Sequence, residues 1–209
     1  MPEKIIIFDF DGTIADSRNT LVEIANRLAV EFGYEPVEPE ELFRLSNLSS
    51  RAIIKQSPLP PYKIPFLLRR VKKELNKEIA SLKPFSGIEE SLVQLKEYGY
   101  KLGIITSNLE DNVMAFLKNN NLSSLFEFVY SGTALFGKDK IINQLIRRNN
   151  LPVKQIIYVG DETRDIEAAK KSKVKVIAVA WGFNSASVLA KYKPDFLVTH
   201  PQELIQVIT

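Results

Sequence analysis

Short runs of uninterrupted apolar residues, set apart by helical patterns, restrict this chain more than any other feature. They are Ile5–Phe10, Leu102–Thr106, Phe126–Tyr130, Ile156–Gly160 and Val174–Ala180, with a weaker run at Phe196–Thr199. A strand that faces water on one side alternates apolar with polar residues, whereas a strand covered on both faces does not. These runs do not alternate, so each predicts a strand buried on both faces. Between them lie amphipathic segments at Ile88–Tyr98, Leu109–Lys118, Asp139–Arg148 and Arg164–Lys171, with a last one at Gln202–Ile208. Ser86 is the expected N-cap of the first, and Gly99 its stop. Strand and helix in alternation predict an α/β fold of three layers, a parallel sheet with helices on both faces.

One interval breaks the alternation. From Ser17 to Lys83 the sequence carries helical patterns (Asn19–Phe32, Pro39–Leu45, Ser50–Gln56, Lys63–Ser81) and no convincing strand. A crossover between parallel strands needs about a dozen residues or a few more, far fewer than lie here. The interval therefore predicts a helical subdomain, residues 17–83, inserted into a core made of residues 1–16 and 84–209. Its expected hinges are Asp16–Ser17 and Lys83–Pro84.

Composition removes several classes of function. The 209 residues are 45% hydrophobic and 25% charged, enough for one core with a smaller appended module. The net charge of +3 does not call for a nucleic-acid partner. The basic clusters at 69–73 and 170–173 read as solvated helix faces. There is no cysteine, which excludes disulfides, thiolate catalysis and cysteine-held zinc. No apolar run reaches the ~20 residues that span a bilayer. Asp9 and Asp11 interrupt the N-terminal apolar stretch, which is unlike a signal peptide, so the expected location is the cytoplasm with no membrane partner. Either a monomer or a homodimer is compatible with the sequence.

The chemistry gathers where strands end, as it does in open α/β sheets. Asp9 and Asp11 close the first run and fall on one side of it, with Gly12 allowing a sharp turn beyond. Two carboxylates so close repel unless a cation or a proton intervenes. Asp161 ends the run Ile156–Gly160, and Asp165 follows in the first turn of the next helix. With Asp9 and Asp11 these form a set of hard oxygen donors suited to Mg²⁺. Thr106, Ser107 and Asn108 end another strand and form a candidate anion site, although Ser107 or Asn108 could equally cap the helix that follows. Lys138 opens a helix, where positive charge opposes the dipole, so another role is expected for it. Lys140 is the competing lysine. Glu162 reads as an exposed neighbour, and His200 as a bystander. Arg51 is either a substrate grip or a solvated arginine. Trp181-Gly182-Phe183 is either a pocket wall or a packed turn.

The set Asp9-Phe10-Asp11-Gly12-Thr13, Thr106, Lys138 and Gly160-Asp161 with Asp165, in that order, resembles the four motifs of the haloacid dehalogenase superfamily. The helical insert after the first motif is similar to the cap of its phosphoglycolate phosphatase-like branch. The resemblance implies a Rossmann-like core and a Mg²⁺-dependent phosphatase acting on a small phosphorylated metabolite. It makes Asp9 the nucleophile that forms an aspartyl-phosphate, and Asp11 the acid and then the base. Asp9, the backbone carbonyl of Asp11 and Asp161 would hold Mg²⁺. Thr106 and Lys138, with Ser107 and Asn108, would bind phosphate. Asp165 would orient Lys138 or a water on the metal. An acid at Asp11 sets the chain apart from the dehalogenases, which have no leaving oxygen to protonate. A sugar phosphomutase uses the same motifs. A receiver-like signalling module also phosphorylates an aspartate, but without the D-x-D-G-T pattern or the insert. Asn47, where many of the branch carry glycine, and the proline-rich stretch Ser57–Pro61 depart from the family pattern and bear on the substrate.

Overall fold

The computed structural model describes residues 4–131 and 137–208. Six parallel strands form one sheet: β1 (Ile5–Phe8), β2 (Lys101–Ile105), β3 (Phe126–Tyr130), β4 (Ile156–Gly160), β5 (Lys175–Val179) and β6 (Phe196–Val198), in the order β3-β2-β1-β4-β5-β6. The chain fills one side of β1 and then crosses to fill the other. The strand carrying Asp9 is therefore central, at the point where the winding reverses, which is where such sheets form their crevice. Register makes the crevice specific. Phe8 lies level with Ile104 of β2 and with Val159 of β4. The residues just beyond them, Asp9, Thr106 and Asp161, emerge side by side.

Both faces of β1 are covered, which accounts for its unbroken apolar run. Ile6 and Phe8 pack in one core with Leu92, Leu95, Val113 and Phe116, which belong to α6 (Ile88–Glu97) and α7 (Glu110–Asn119). Ile5 and Ile7 pack in the other with Ile142 and Ile166, from α8 (Lys138–Arg148) and α9 (Thr163–Lys171). Two short helices, α10 (Ala186–Lys191) and α11 (Glu203–Ile208), complete the layers. Phe10 follows the same alternation. It points away from the aspartates into the core and meets Phe116 edge-on at 5.0 Å between ring centroids. Burying a ring of this kind contributes about 1.5–3 kcal/mol. It anchors the loop that carries the two carboxylates.

Between β1 and α6 the chain forms only helices: α1 (Arg18–Arg27), α2 (Ala29–Phe32), α3 (Pro39–Ser46), α4 (Ser50–Gln56) and α5 (Ile64–Glu78), with a 3-10 turn at Ile79–Ser81. The two segments that enter and leave this insert run side by side. Asp16 N–H donates to Lys83 O at 3.0 Å, and Phe85 N–H to Ile14 O at 3.0 Å. Ile24, Leu28 and Leu75 of the insert join the same core as Ile6 and Phe8.

Two local expectations change, and one helix is added. The helix expected over Asn19–Phe32 is interrupted at Leu28, where the turn keeps both Leu28 and Ala29 buried. Gly87, at φ +86°, caps α6 in place of Ser86. A side chain at Gly87 would run into Gln202, so the position needs both the left-handed backbone and the missing Cβ. Helix α10 was too short to register as a pattern beside the turn at Trp181–Phe183.

Candidate active site

A tight loop follows β1. Thr13, Ile14 and Ala15 all direct their N–H groups at the Phe10 carbonyl, the last two at 3.0 Å, and Gly12 turns the corner at φ +76°. The loop fixes Asp9 and Asp11 differently. Asp9 is 2% exposed; one carboxylate oxygen accepts from Phe10 N–H at 2.7 Å and the other meets Lys138 Nζ at 2.6 Å. Asp11 is half-buried and accepts from Ser17 Oγ and Asn108 Nδ2, each at 2.9 Å.

Lys138, in the first turn of α8, also reaches Asp165 Oδ1 at 2.6 Å and is itself 2% exposed. Two buried carboxylates thus offset the unfavourable helix position. Lys140 is exposed. Asp165 is shared: its second oxygen accepts the Glu162 N–H at 3.1 Å in a capping box that starts α9. Gly160 allows this closeness, because a Cβ there would press on the Asp165 carboxylate.

Asp161 lies at the centre of the loops. It accepts from Thr13 Oγ1 at 2.9 Å and from Phe183 N–H at 2.7 Å, and a Cβ at either Gly12 or Gly182 would collide with its carboxylate. Trp181 Nε1 donates to Thr13 O at 3.1 Å, so the segment 181–183 is a wall of the site. At the end of β2, Thr106 Oγ1 accepts from Asn108 N–H at 3.0 Å, and Ser107 is buried beside it. Leu109 is the N-cap of α7, while the Asn108 side chain serves Asp11 and accepts from Asn112 Nδ2 at 2.8 Å. Asn112 Nδ2 in turn donates to Lys72 O of α5 at 2.8 Å, and Asn76 of the same helix donates to Asn112 Oδ1 at 2.8 Å.

Electrostatics sharpen the picture. Burial pushes the Asp9 carboxyl up to about 7, with Lys138 pulling it back and Asp165 adding to the rise. Burial also raises Asp11, against the bonds from Ser17 and Asn108. Asp161 lies well above the ordinary carboxylate range, through burial first and then the charges of Glu162, Asp9 and Asp165. For Lys138 burial acts downward, but Asp165 and Asp9 outweigh it and keep the ammonium charged. Arg164 behaves alike, held charged by Glu162, Asp165 and Asp9.

Among the described residues here, five carboxylates (Asp9, Asp11, Asp161, Glu162, Asp165) meet three cationic side chains (Lys72, Lys138, Arg164). Carboxyl groups outnumber cations in a buried site, and the oxygens they offer are all hard donors. That donor set fits Mg²⁺. Oxygens of Asp9, Glu162 and Asp165 lie within 4.8 Å of one another. Asp161 stands beside them with its bonds coming from neutral donors. The carboxylate of Asp11 turns instead to Ser17 and Asn108.

Several residues of the site escaped the sequence reading. Lys72, from a cluster read as a solvated face, donates to Ser107 O and lines a cavity beside Asp11. Arg164 pairs with Glu162, which is half-buried where it was expected exposed. Arg164 stands between acids in Glu162-Thr163-Arg164-Asp165, a setting that could have flagged it. Nothing local marks Lys72. Arg51 pairs with Glu167 at 3.0 Å on the surface, and His200 is exposed next to Glu203.

Residues 6–179 match the haloacid dehalogenase-like hydrolase family. The chain is 41% identical over 206 residues to the phosphoglycolate phosphatase of Synechococcus elongatus, across 99% of this chain and 97% of that one. A pyrophosphatase of Listeria innocua is 23% identical over 214 residues, 97% of this chain and 95% of that protein. A solved haloacid dehalogenase-like family hydrolase from Streptococcus pneumoniae superposes with a TM-score of 0.80 over 99% of each chain. At 22% identity, this likeness speaks for the fold alone. The chain belongs to the haloacid dehalogenase-like hydrolases. Within them it falls in the phosphoglycolate phosphatase-like branch, and it is a hydrolase of the phosphatase class. Among the described residues no helix is long and apolar enough to cross a membrane.

Proposed function

We propose that this enzyme is a Mg²⁺-dependent phosphatase of small phosphomonoesters, phosphoglycolate or a compound like it, working through an aspartyl-phosphate. The reading is supported above all by Asp9. It is a buried carboxylate at the central strand end, paired with Lys138 at 2.6 Å, with a second acid two residues on. Asp9, the backbone carbonyl of Asp11 and Asp161 would hold Mg²⁺, with Glu162 and Asp165 close by. When bound, the ion supplies positive charge that lets a carboxylate approach a phosphate dianion.

An Asp9 oxygen attacks phosphorus in line. The P–O bond to the alcohol breaks as the new O–P bond forms, and Asp11 gives its proton to the departing oxygen. The raised affinity of Asp11 for its proton suits that task. Asp11, now a carboxylate, then takes a proton from the water that attacks the aspartyl-phosphate, releasing phosphate and restoring Asp9. Lys138 and Thr106, with Ser107 and Asn108, neutralise charge on the non-bridging oxygens. Asp165 acts by holding Lys138. Residues 17–83 form a cap over the core of residues 1–16 and 84–209, excluding water and selecting the alcohol. The proposed setting is the cytoplasm.

The test is phosphate release from a panel of phosphorylated metabolites with and without Mg²⁺, using wild type and Asp9→Asn. Turnover should need Mg²⁺ and vanish in the variant while its circular dichroism is unchanged. Full activity in Asp9→Asn would remove Asp9 as nucleophile. A sugar phosphate returned as its isomer would point to a phosphomutase.

A further inference from the structure

The insert presents an apolar wall to the site. A cavity of about 370 Å³ opens beside Asp11, lined by Leu21 and Val22 of α1, Ile53 of α4, and Leu67, Leu68 and Val71 of α5. A second, of about 210 Å³, shares Ile53, Leu67 and Leu68 and continues past Ile54 and Ile64. Leu21, Val22, Ile53, Leu67 and Leu68 are only half-buried; Leu21 and Leu67 also touch the core that holds Ile24 and Leu75. Their remaining surface lines the space next to Asp11.

The polar end of the cavity carries Lys72 and Arg164. Lys72 donates to Ser107 O, and Arg164 pairs with Glu162. A two-carbon acid such as glycolate would leave most of this wall wet. A site built to release an alcohol into this space gains affinity by drying it, about fourfold for each methylene covered.

We propose that the preferred substrates are phosphomonoesters whose alcohol carries an apolar alkyl or aryl body, which lies against α1, α4 and α5 while Asp11 faces the bridging oxygen. This rests on the phosphatase reading and replaces phosphoglycolate with apolar phosphomonoesters as the preferred class.

The experiment is kcat/KM with Mg²⁺ for methyl, ethyl, butyl and hexyl phosphate, with phosphoglycolate alongside. The expected result is a rise of about fourfold per methylene, until the longer esters exceed phosphoglycolate. Leu68→Asn and Ile53→Asn should each lower the hexyl-to-methyl ratio about tenfold, and Leu68→Met should keep it. A flat or falling series with phosphoglycolate well hydrolysed overturns the apolar preference and leaves the phosphatase reading standing. No phosphate release from any ester, phosphoglycolate included, overturns both.

Discussion

Replacing Lys138 by methionine separates an electrostatic role from mere packing. The side chain is 2% exposed and meets two buried carboxylates, Asp9 and Asp165, each at 2.6 Å. Methionine keeps an unbranched apolar stem of four heavy atoms but lacks the Nζ, which lies 5.7 Å from the Tyr158 ring centroid, and leaves both acids without their cation. Breaking a buried pair by removing one partner costs about 3–5 kcal/mol, because the remaining charge stays in a poorly solvated place. Here one lysine serves two acids, so the upper part of that range is expected. In a chain of this size the melting midpoint should fall by roughly ten degrees or more. The loss should be smaller at pH 5 than at pH 8, since the Asp9 carboxyl, raised to about 7, is relieved by protonation. Lys140→Met is the control: that residue is exposed, and its loss should lie within about 0.5 kcal/mol of zero. Urea unfolding in a chelator at the two pH values measures all four quantities. Equal effects of the two substitutions, or a Lys138→Met effect under about 1 kcal/mol, would refute the reasoning.

Two further outcomes follow from the titrating groups. The Asp9 carboxyl is raised from 3.8 to about 7 in the fold, so between those values the folded chain binds more protons than the unfolded one. Without metal, stability should therefore fall as pH rises through this window, by up to about 4 kcal/mol from this group, and Mg²⁺ should restore it at pH 8. Melting in a chelator at pH 5 and pH 8 checks the sign, and a midpoint that rises with pH would contradict it. Asp11→Asn should lower kcat about 10²–10⁴-fold on alkyl phosphates and far less on a nitrophenyl ester, whose leaving group needs no proton. Equal losses on both would argue against proton donation.

The core was legible because burial on two faces leaves an unmistakable mark: Ile5–Phe8 and Ile156–Gly160 are apolar throughout and pair with one another. The grouping of Asp9, Lys138 and Asp165 was legible for a related reason. Parallel strands bring their ends together whatever the distance along the chain, so groups that end strands become neighbours. What lies across the crevice obeys no such rule. Lys72 sits in a basic helix whose sequence would look the same on a solvated face, and only the packing of α5 against the core turns it inward. The cap of α6 was misread for a comparable reason. Ser86 is a good capping residue locally, but the neighbouring Gln202 side chain decides in favour of Gly87.

The carboxylate of Asp11 is tied at both ends. Ser17, where the insert begins, holds one oxygen, and Asn108 holds the other. Asn108 leads on through Asn112 to the backbone of Lys72 and the side chain of Asn76, both on α5. One tether ends at the start of the helical insert and the other on its last α-helix. A shift of α5 or a swing at Ser17 must therefore reorient Asp11 or snap a bond to it. The placing of α5 and the orientation of the Asp11 carboxylate are thus tied together through Asn108 and Asn112.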